Sequence, residues 1–158
     1  GFRPAAIGAG PHRAVRPQIR GDTLCWLGTP QTQAEARLLA RFEMLRSTLN
    51  RELQLGLFDF ECHYAVYAPG AAYARHLDRS AAGAERVVSA VLYLNPDWAP
   101  DDGGELCLYA PTGPVTVAPR GGLLVLFLSG RFEHAVRPAR RARLSLTGWF
   151  RRRARLVP

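Results

Sequence analysis

Four polar residues of this chain could form one reactive site: His76, Asp78, His134 and Arg143. Two histidines and one carboxylate can bind one face of an Fe(II) ion and leave its other coordination positions open. An arginine soon after the second histidine can bind a dicarboxylate beside the metal, because its planar guanidinium pairs with a carboxylate through two hydrogen bonds. The four residues predict an oxidative iron site if the fold brings them together.

Strand-like alternation supports this interpretation. His76 and Asp78 are separated by one residue, so on a β-strand both side chains point to the same face. The spacing alone is weak, since His-x-Asp arises easily by chance. In the segment 143–150, alternation places Arg143 with Ser145, Thr147 and Trp149, opposite Leu144, Leu146 and Phe150. An arginine on an interior face needs an anion, because an unpaired buried charge is costly.

Each residue also has a simpler interpretation. His134 could be a hydrogen-bonded core histidine, and Arg143 could lie on a solvated surface strand. His12 and His63 have no partner at metal-ligand spacing, so the sequence assigns them no role.

Composition sets wide bounds on function. The chain has 158 residues with 47% apolar and 22% charged residues, which is typical of one globular domain. We expect no membrane span and no signal peptide, and the start at Gly1 leads us to expect that upstream residues are absent. The net charge is +8, and every basic residue other than histidine is arginine. This charge permits an acidic partner, but a solvated surface is the favoured interpretation.

The cysteines indicate a reducing environment. Cys25, Cys62 and Cys107 are an odd and scattered set without a CxxC pair. This argues against a disulfide framework and a zinc ribbon, and it predicts the cytoplasm as the location.

One helix and many short strands are expected to position the site. Residues 1–18 look irregular, with at most one edge strand, and residues 19–27 predict a strand or hairpin interrupted by a turn at Gly21-Asp22. The helix is indicated by apolar residues at spacings of three and four, and Thr32 with Glu35 fits a capping box at its start. Its stripe, which should cover one face of a sheet, consists of Leu38, Phe42, Leu45, Leu49 and Leu53.

After residue 57 the pattern changes to short strands separated by turns. The predicted strands are Phe58–Tyr67, Tyr73–Leu77, Arg86–Leu94, Glu105–Tyr109, Val115–Ala118, Leu123–Leu128, Phe132–Val136 and Arg143–Phe150. This spacing favours a mainly β protein with a flanking helix, specifically a double-stranded β-helix, or jelly roll. We expect residues 19–150 to form the domain and residues 151–158 to be a basic, solvated tail; a nucleic-acid contact by this tail is the less favoured alternative.

Several ordered motifs resemble the prolyl 4-hydroxylase branch of the Fe(II)/2-oxoglutarate dioxygenases. They run from Tyr67 to Asp78, from Val91 to Trp98, through Gly103-Gly104-Glu105-Leu106, from His134 to Pro138 and from Arg143 to Trp149. Residues 19–26 further resemble the hairpin that precedes the helix in hypoxia-inducible-factor-type prolyl hydroxylases and their bacterial relatives. The likeness covers roughly residues 19–150.

The resemblance implies a role for each matching residue. It implies that His76, Asp78 and His134 bind iron, that Arg143 and Tyr93 bind the distal carboxylate of 2-oxoglutarate, and that Tyr67 lines the cosubstrate or substrate side. Arg86 and Trp149 are assigned to the substrate side. Two departures affect this transfer: the Tyr67–Tyr73 loop is one residue shorter than in the animal enzymes, and the Arg79–Glu85 loop diverges.

The implied reaction is hydroxylation of a prolyl residue, expected at carbon 4, in a protein or peptide. It would use Fe(II), 2-oxoglutarate and O2, with ascorbate as reductant, and release succinate and CO2. A translation elongation factor is the substrate candidate that the resemblance suggests, and neither a nucleic acid nor a membrane is the expected partner. Two alternatives remain open: a nucleic-acid oxidative demethylase on the same fold, and a non-enzymatic jelly-roll binding module.

Overall fold

The computed structural model describes residues 1–8, 10–78 and 85–153. Within these residues, one α-helix and ten β-strands are joined by loops and two short 3-10 helices. In chain order the elements are β1 (Arg3–Pro4), β2 (Asp22–Leu27), α1 (Gln33–Leu53), β3 (Asp59–Tyr67), β4 (Tyr73–His76), β5 (Glu85–Tyr93), β6 (Leu106–Ala110), β7 (Gly113–Val117), β8 (Leu124–Leu128), β9 (Glu133–Val136) and β10 (Arg143–Arg152). No helix among the described residues is long and apolar enough to cross a membrane.

The strands form two antiparallel sheets. The larger has the order β1-β2-β3-β10-β5-β8, and the smaller has the order β4-β9-β6-β7. An apolar cluster joins them: Tyr67, Tyr93 and Phe127 come from the larger sheet, and Leu106 and Val136 from the smaller. This confirms the predicted jelly roll with a flanking helix.

Helix α1 covers part of the outer face of the larger sheet, as predicted. It begins with the capping box: the Glu35 backbone N–H donates to Thr32 Oγ1, and the Thr32 N–H donates to the Glu35 carboxylate, both at 3.1 Å. On its apolar side, Phe42 stacks on Phe60 with ring centroids 4.4 Å apart, and both rings lie near Phe150. The helix therefore fixes β3 and β10 from outside while their other faces remain available for the site.

Strand β10 lies at the centre of the larger sheet and carries the alternation seen in the sequence. Arg143 is paired in register with Tyr67 on β3, and Ser145 with Tyr93 on β5. Gly148 is required at its position, because a Cβ atom there would lie 2.7 Å from Cys62 Cβ and 2.7 Å from the Glu61 carbonyl oxygen. Close approach of β3 and β10 thus depends on a residue without a side chain.

Several predicted boundaries shift. Strand β4 ends at His76, so Asp78 lies just beyond the strand, and β2 starts at Asp22, the second residue of the predicted turn. Strand β10 continues to Arg152, two residues into the predicted tail, because Arg151 forms ion pairs with Asp59 and Glu61 on β3. Residues 79–84 of the divergent Arg79–Glu85 loop and residues 154–158 of the predicted tail lie outside the described residues.

The cysteines agree with the sequence prediction. Cys25, Cys62 and Cys107 are all free, and the latter two are buried. Burial raises the pKa of the Cys62 thiol to about 12, so this side chain acts as a small apolar group of the core.

Candidate metal centre and adjoining pocket

The three metal ligands predicted from the sequence lie close together in the structure. His76 ends β4 and lies opposite His134 of β9 in the strand register. Asp78 follows two residues after His76, and its carboxylate oxygens lie 3.5 Å from His76 Nε2 and 3.5 Å from His134 Nε2. Ligand atoms of the three residues all lie within 4.8 Å of one another, a geometry that could hold a metal ion.

Backbone carbonyls orient both imidazole rings. His76 Nδ1 lies 2.7 Å from the Ala74 carbonyl oxygen, and His134 Nδ1 lies 3.2 Å from that of Phe132. A carbonyl oxygen only accepts hydrogen bonds, so each Nδ1 carries the proton and each Nε2 keeps its lone pair for a metal. In these tautomers the Nε2 atoms of both histidines can bind a metal ion.

The carboxylate of Asp78 is held by two buried serines. Ser89 Oγ donates to Asp78 Oδ2 at 2.8 Å. Ser129 Oγ lies 2.8 Å from Ser89 Oγ and must donate to it, because the single Ser89 proton is directed at Asp78. Burial raises the pKa of Asp78, but the neighbouring His76 and His134 side chains outweigh this effect, so its pKa lies below the ordinary value. Asp78 is an anion, as a metal ligand must be.

The donor set fits a divalent iron ion. Two neutral imidazole nitrogens and one carboxylate oxygen are the protein ligands of the facial triad found in non-haem Fe(II) oxygenases. Without a thiolate among the three, the set does not resemble a structural zinc site of the cysteine-rich kind.

Arg143 lies in the adjoining interior without a carboxylate partner among the described residues. It is 2% exposed, and its Nε donates to the Gly104 carbonyl oxygen at 2.8 Å. The guanidinium lies 5.2 Å from the ring centre of Tyr67 and 5.1 Å from that of Tyr93. Tyr93 itself is fully buried, and its hydroxyl has no hydrogen-bond partner among the described residues. A buried cation beside an unsatisfied hydroxyl fits an anionic ligand, and a ligand carboxylate would satisfy both.

The triad and Arg143 share one cavity of about 620 Å³, which also reaches Tyr67. At another part of this cavity lie Arg86 and Trp149, with the Arg86 guanidinium 3.6 Å above the indole ring. Arg86 is also paired with Glu61 at 2.9 Å. Seven of the eight residues singled out from the sequence therefore line this cavity, and the eighth, Tyr93, lies against Arg143.

Sequence reasoning missed several residues of the cavity. His63, which received no role, is buried on β3 between Trp26 and Trp149, at centroid distances of 5.0 and 5.5 Å. Its alternation with Tyr67 on β3 was a signal that could have placed it on the inner face. Ser89 likewise shares its strand face with Tyr93.

The segment around the predicted turn at Gly21-Asp22 contributes to the same cavity. Arg20 and Asp22 form an ion pair at 2.8 Å, and both line the cavity. The Arg20 guanidinium also lies 4.8 Å from the ring centre of Tyr73, which stacks on His76 with centroids 3.6 Å apart. A chain of contacts thus leads from β2 to the triad.

Similarity to known proteins covers this region of the chain. Residues 62–151 match the family described as the 2OG-Fe(II) oxygenase superfamily. A prolyl-4-hydroxylase from Pseudomonas putida has a similar crystal structure, with 49% sequence identity and a TM-score of 0.86 over 97% of this chain and 78% of that one. A prolyl hydroxylase from Trichoplax adhaerens, solved with a peptide fragment of the hypoxia inducible factor oxygen degradation domain, has 32% identity and a TM-score of 0.81 over 94% and 70% of the two chains.

A curated relative is much longer. Human Egl nine homolog 1 is 29% identical over 141 residues, which cover 84% of this chain and 33% of the human protein. This chain therefore spans about a third of that relative.

Proposed function

Because the chain belongs to the 2OG-Fe(II) oxygenase superfamily, whose members use Fe(II), 2-oxoglutarate and O2, we propose that it hydroxylates a prolyl residue in a protein or peptide. The observation that carries the proposal is that His76, Asp78 and His134 converge in the same cavity as the buried Arg143, which has no carboxylate partner in the part of the chain that the structure describes. The similarity to two prolyl hydroxylase structures supports the choice of substrate residue. Carbon 4 of the proline is the proposed position.

In this proposal His76, Asp78 and His134 hold Fe(II). Each histidine offers Nε2 because Nδ1 is engaged by a backbone carbonyl, and Asp78 offers the oxygen that Ser89 does not occupy. Bound iron and 2-oxoglutarate together supply the oxidation of a C–H bond by O2, with succinate and CO2 as coproducts. Ascorbate is the proposed reductant that keeps the iron divalent.

Arg143 and Tyr93 would bind the distal carboxylate of 2-oxoglutarate. The guanidinium has two terminal nitrogens beyond the Nε that bonds to Gly104, and the Tyr93 hydroxyl is an additional donor. The ring centre of Tyr67 lies 5.2 Å from the Arg143 guanidinium, so Tyr67 forms another part of the pocket wall. Burial of this wall keeps water from the cosubstrate, which strengthens the ion pair.

The substrate would enter past Arg86 and Trp149, which form a packed pair at the cavity. A translation elongation factor is the proposed protein substrate, and the cytoplasm is the proposed location, since all three cysteines are free. The nucleic-acid demethylase alternative rests on the basic net charge and on the arginine-rich tail, and no feature of the described cavity favours it.

Mass spectrometry tests the proposal directly. The protein is incubated with Fe(II), ascorbate, 2-oxoglutarate and either a cell lysate or a purified elongation factor. The expected result is a prolyl peptide that gains the mass of one oxygen atom, and the matched control is the Asp78→Gly variant. Oxidation of nucleobases instead of proline, or no consumption of 2-oxoglutarate, would overturn the proposal.

A further inference from the structure

Gly104 lies directly behind Arg143 in the interior of the barrel. Its carbonyl oxygen accepts the hydrogen bond from Arg143 Nε at 2.8 Å, the one side-chain hydrogen bond that Arg143 makes among the described residues. The bond fixes the guanidinium at its Nε edge, so its direction into the cavity depends on where the Gly104 carbonyl lies.

The space around Gly104 is too tight for a side chain unless its neighbours move by a few tenths of an ångström. A Cβ atom there would lie 3.0 Å from Ala139 Cβ and 3.2 Å from both Arg143 Cδ and Trp98 Cζ2. The residue also has a φ angle of +73°, which glycine adopts readily and other residues do not. Any substitution would therefore press on the stem of Arg143.

The backbone around Gly104 is tied to the segment that leads into β10. The Gly104 N–H donates to the Pro138 carbonyl oxygen at 3.0 Å. The Trp98 indole N–H donates to the Gly103 carbonyl oxygen, also at 3.0 Å. The carbonyl that holds Arg143 is thus fixed relative to the strand that bears Arg143.

We propose that Gly104 is a positioning residue that sets the affinity for 2-oxoglutarate by fixing the guanidinium of Arg143. The inference rests on the proposed function, because it assumes that Arg143 binds the cosubstrate. In this proposal the guanidinium is oriented by a backbone carbonyl and by the lack of a side chain at residue 104, and not by a charged group.

The test measures binding rather than turnover. Gly104→Ala and the wild-type protein are loaded with Mn(II) in place of iron, without O2, and titrated with 2-oxoglutarate in a calorimeter. We expect the affinity for 2-oxoglutarate to fall about tenfold or more, because misdirection weakens a two-point charged contact, while the affinity for Mn(II) stays unchanged.

The matched control is Gly56→Ala. Gly56 has a similar φ angle of +65°, but the nearest atom to its added Cβ is 4.0 Å away, so the variant carries the backbone strain without the contact. We expect it to bind 2-oxoglutarate as the wild type does. A second variant, Trp98→Phe, keeps an aromatic side chain but removes the indole N–H that donates to the Gly103 carbonyl oxygen, and it should also weaken binding.

The outcomes separate this inference from the proposed function. Failure of the wild-type protein to bind 2-oxoglutarate would overturn both. Normal binding by a folded Gly104→Ala variant, with circular dichroism as the check on folding, would overturn the role of Gly104 alone. If the Gly104→Ala variant does not fold, the Trp98→Phe variant decides. Normal 2-oxoglutarate binding by Trp98→Phe would overturn the role of Gly104, and weakened binding would support it.

Discussion

The rings of His76 and His134 lie next to each other on two paired strands, with centroids 4.2 Å apart and planes inclined by 57°. Residues directly opposite in an antiparallel pair have neighbouring side chains on one face, so the strand register alone brings the two imidazoles together. Asp78 completes the group from beyond the end of β4. The strand pairing thus positions the two histidines, whereas the position of Asp78 depends on its own hydrogen bonds.

Replacement of Asp78 by glycine should abolish iron-dependent turnover, because it removes the only anionic ligand of the triad. Bound iron, measured by elemental analysis, and succinate production should both be lost. Asp101→Gly is the matched control, since Asp101 is an exposed carboxylate that does not line the cavity. Full succinate production by the Asp78→Gly variant would contradict the metal assignment.

Replacement of Arg143 by lysine should raise the KM for 2-oxoglutarate about tenfold or more, because an ammonium cannot form two parallel hydrogen bonds to a carboxylate. It also cannot keep the bond to the Gly104 carbonyl while reaching the ligand. Initial rates at varied 2-oxoglutarate measure the effect, with Arg41→Lys on the exposed side of α1 as the control. An unchanged KM would mean that the cosubstrate binds elsewhere.

Local pattern in the sequence was enough to predict the elements and the polar face of β10. Alternation gave Arg143 its inward direction, and helical spacing with the Thr32–Glu35 capping box gave α1. Both signals arise within one element, so no knowledge of the neighbouring strands was needed.

Residues whose role comes from pairing between distant strands were not predicted. Ser89 is 11 positions from Asp78 and 40 from Ser129, and nothing local indicates that a serine on β5 bonds a carboxylate after β4. Asp22 and His63 are of this kind too: the register of β2, β3 and β10 brings them to the cavity. The resemblance to a known family identified the expected metal ligands. The residues that hold those ligands in place became apparent only from the strand register.

Replacement of Ser89 by alanine should weaken metal binding about tenfold, because groups that orient a metal-ligating carboxylate typically contribute that much. The loss leaves Asp78 Oδ2 without its buried donor and frees the carboxylate to rotate. Competition with a fluorescent chelator measures the metal affinity, and Ser47→Ala, on the exposed side of α1, is the control. Equal metal affinity in the Ser89→Ala and Ser47→Ala variants would show that the Asp78 carboxylate is positioned without the Ser89 hydrogen bond.

Trp26 should contribute to binding of a proline-containing peptide. Its side chain is 49% exposed at the cavity, next to His63 and Trp149, and an open indole face packs well against a pyrrolidine ring. Trp26→Ala should raise the KM for the peptide several-fold, whereas Trp26→Phe should retain most of the affinity. Calorimetry should show that both variants bind 2-oxoglutarate with the affinity of the wild type. Equal KM values for the peptide in Trp26→Ala and Trp26→Phe would exclude a contact between the aromatic ring and the proline.

His63 should make the fold less stable in mild acid. Burial lowers the pKa of His63 to about 4 from an ordinary value of 6.5, so the unfolded chain binds a proton over a pH range in which the folded protein does not. The stabilisation is complete above pH 6.5 and is lost as the pH falls from about 6.5 to about 4. At about 1.4 kcal/mol for each unit of pKa, the loss in the free energy of unfolding is about 3 kcal/mol.

Urea denaturation at neutral pH and near the lower end of this range measures the effect. Carboxylates also titrate there, so the wild type is compared with His63→Gln, which carries no titratable group at the buried position, and with His12→Gln at an exposed one. The His63→Gln variant should lose less stability on acidification than the other two proteins. An equal loss in all three would mean that His63 is protonated in the folded state, and its contacts with Trp26 and Trp149 would then have to be those of a buried cation.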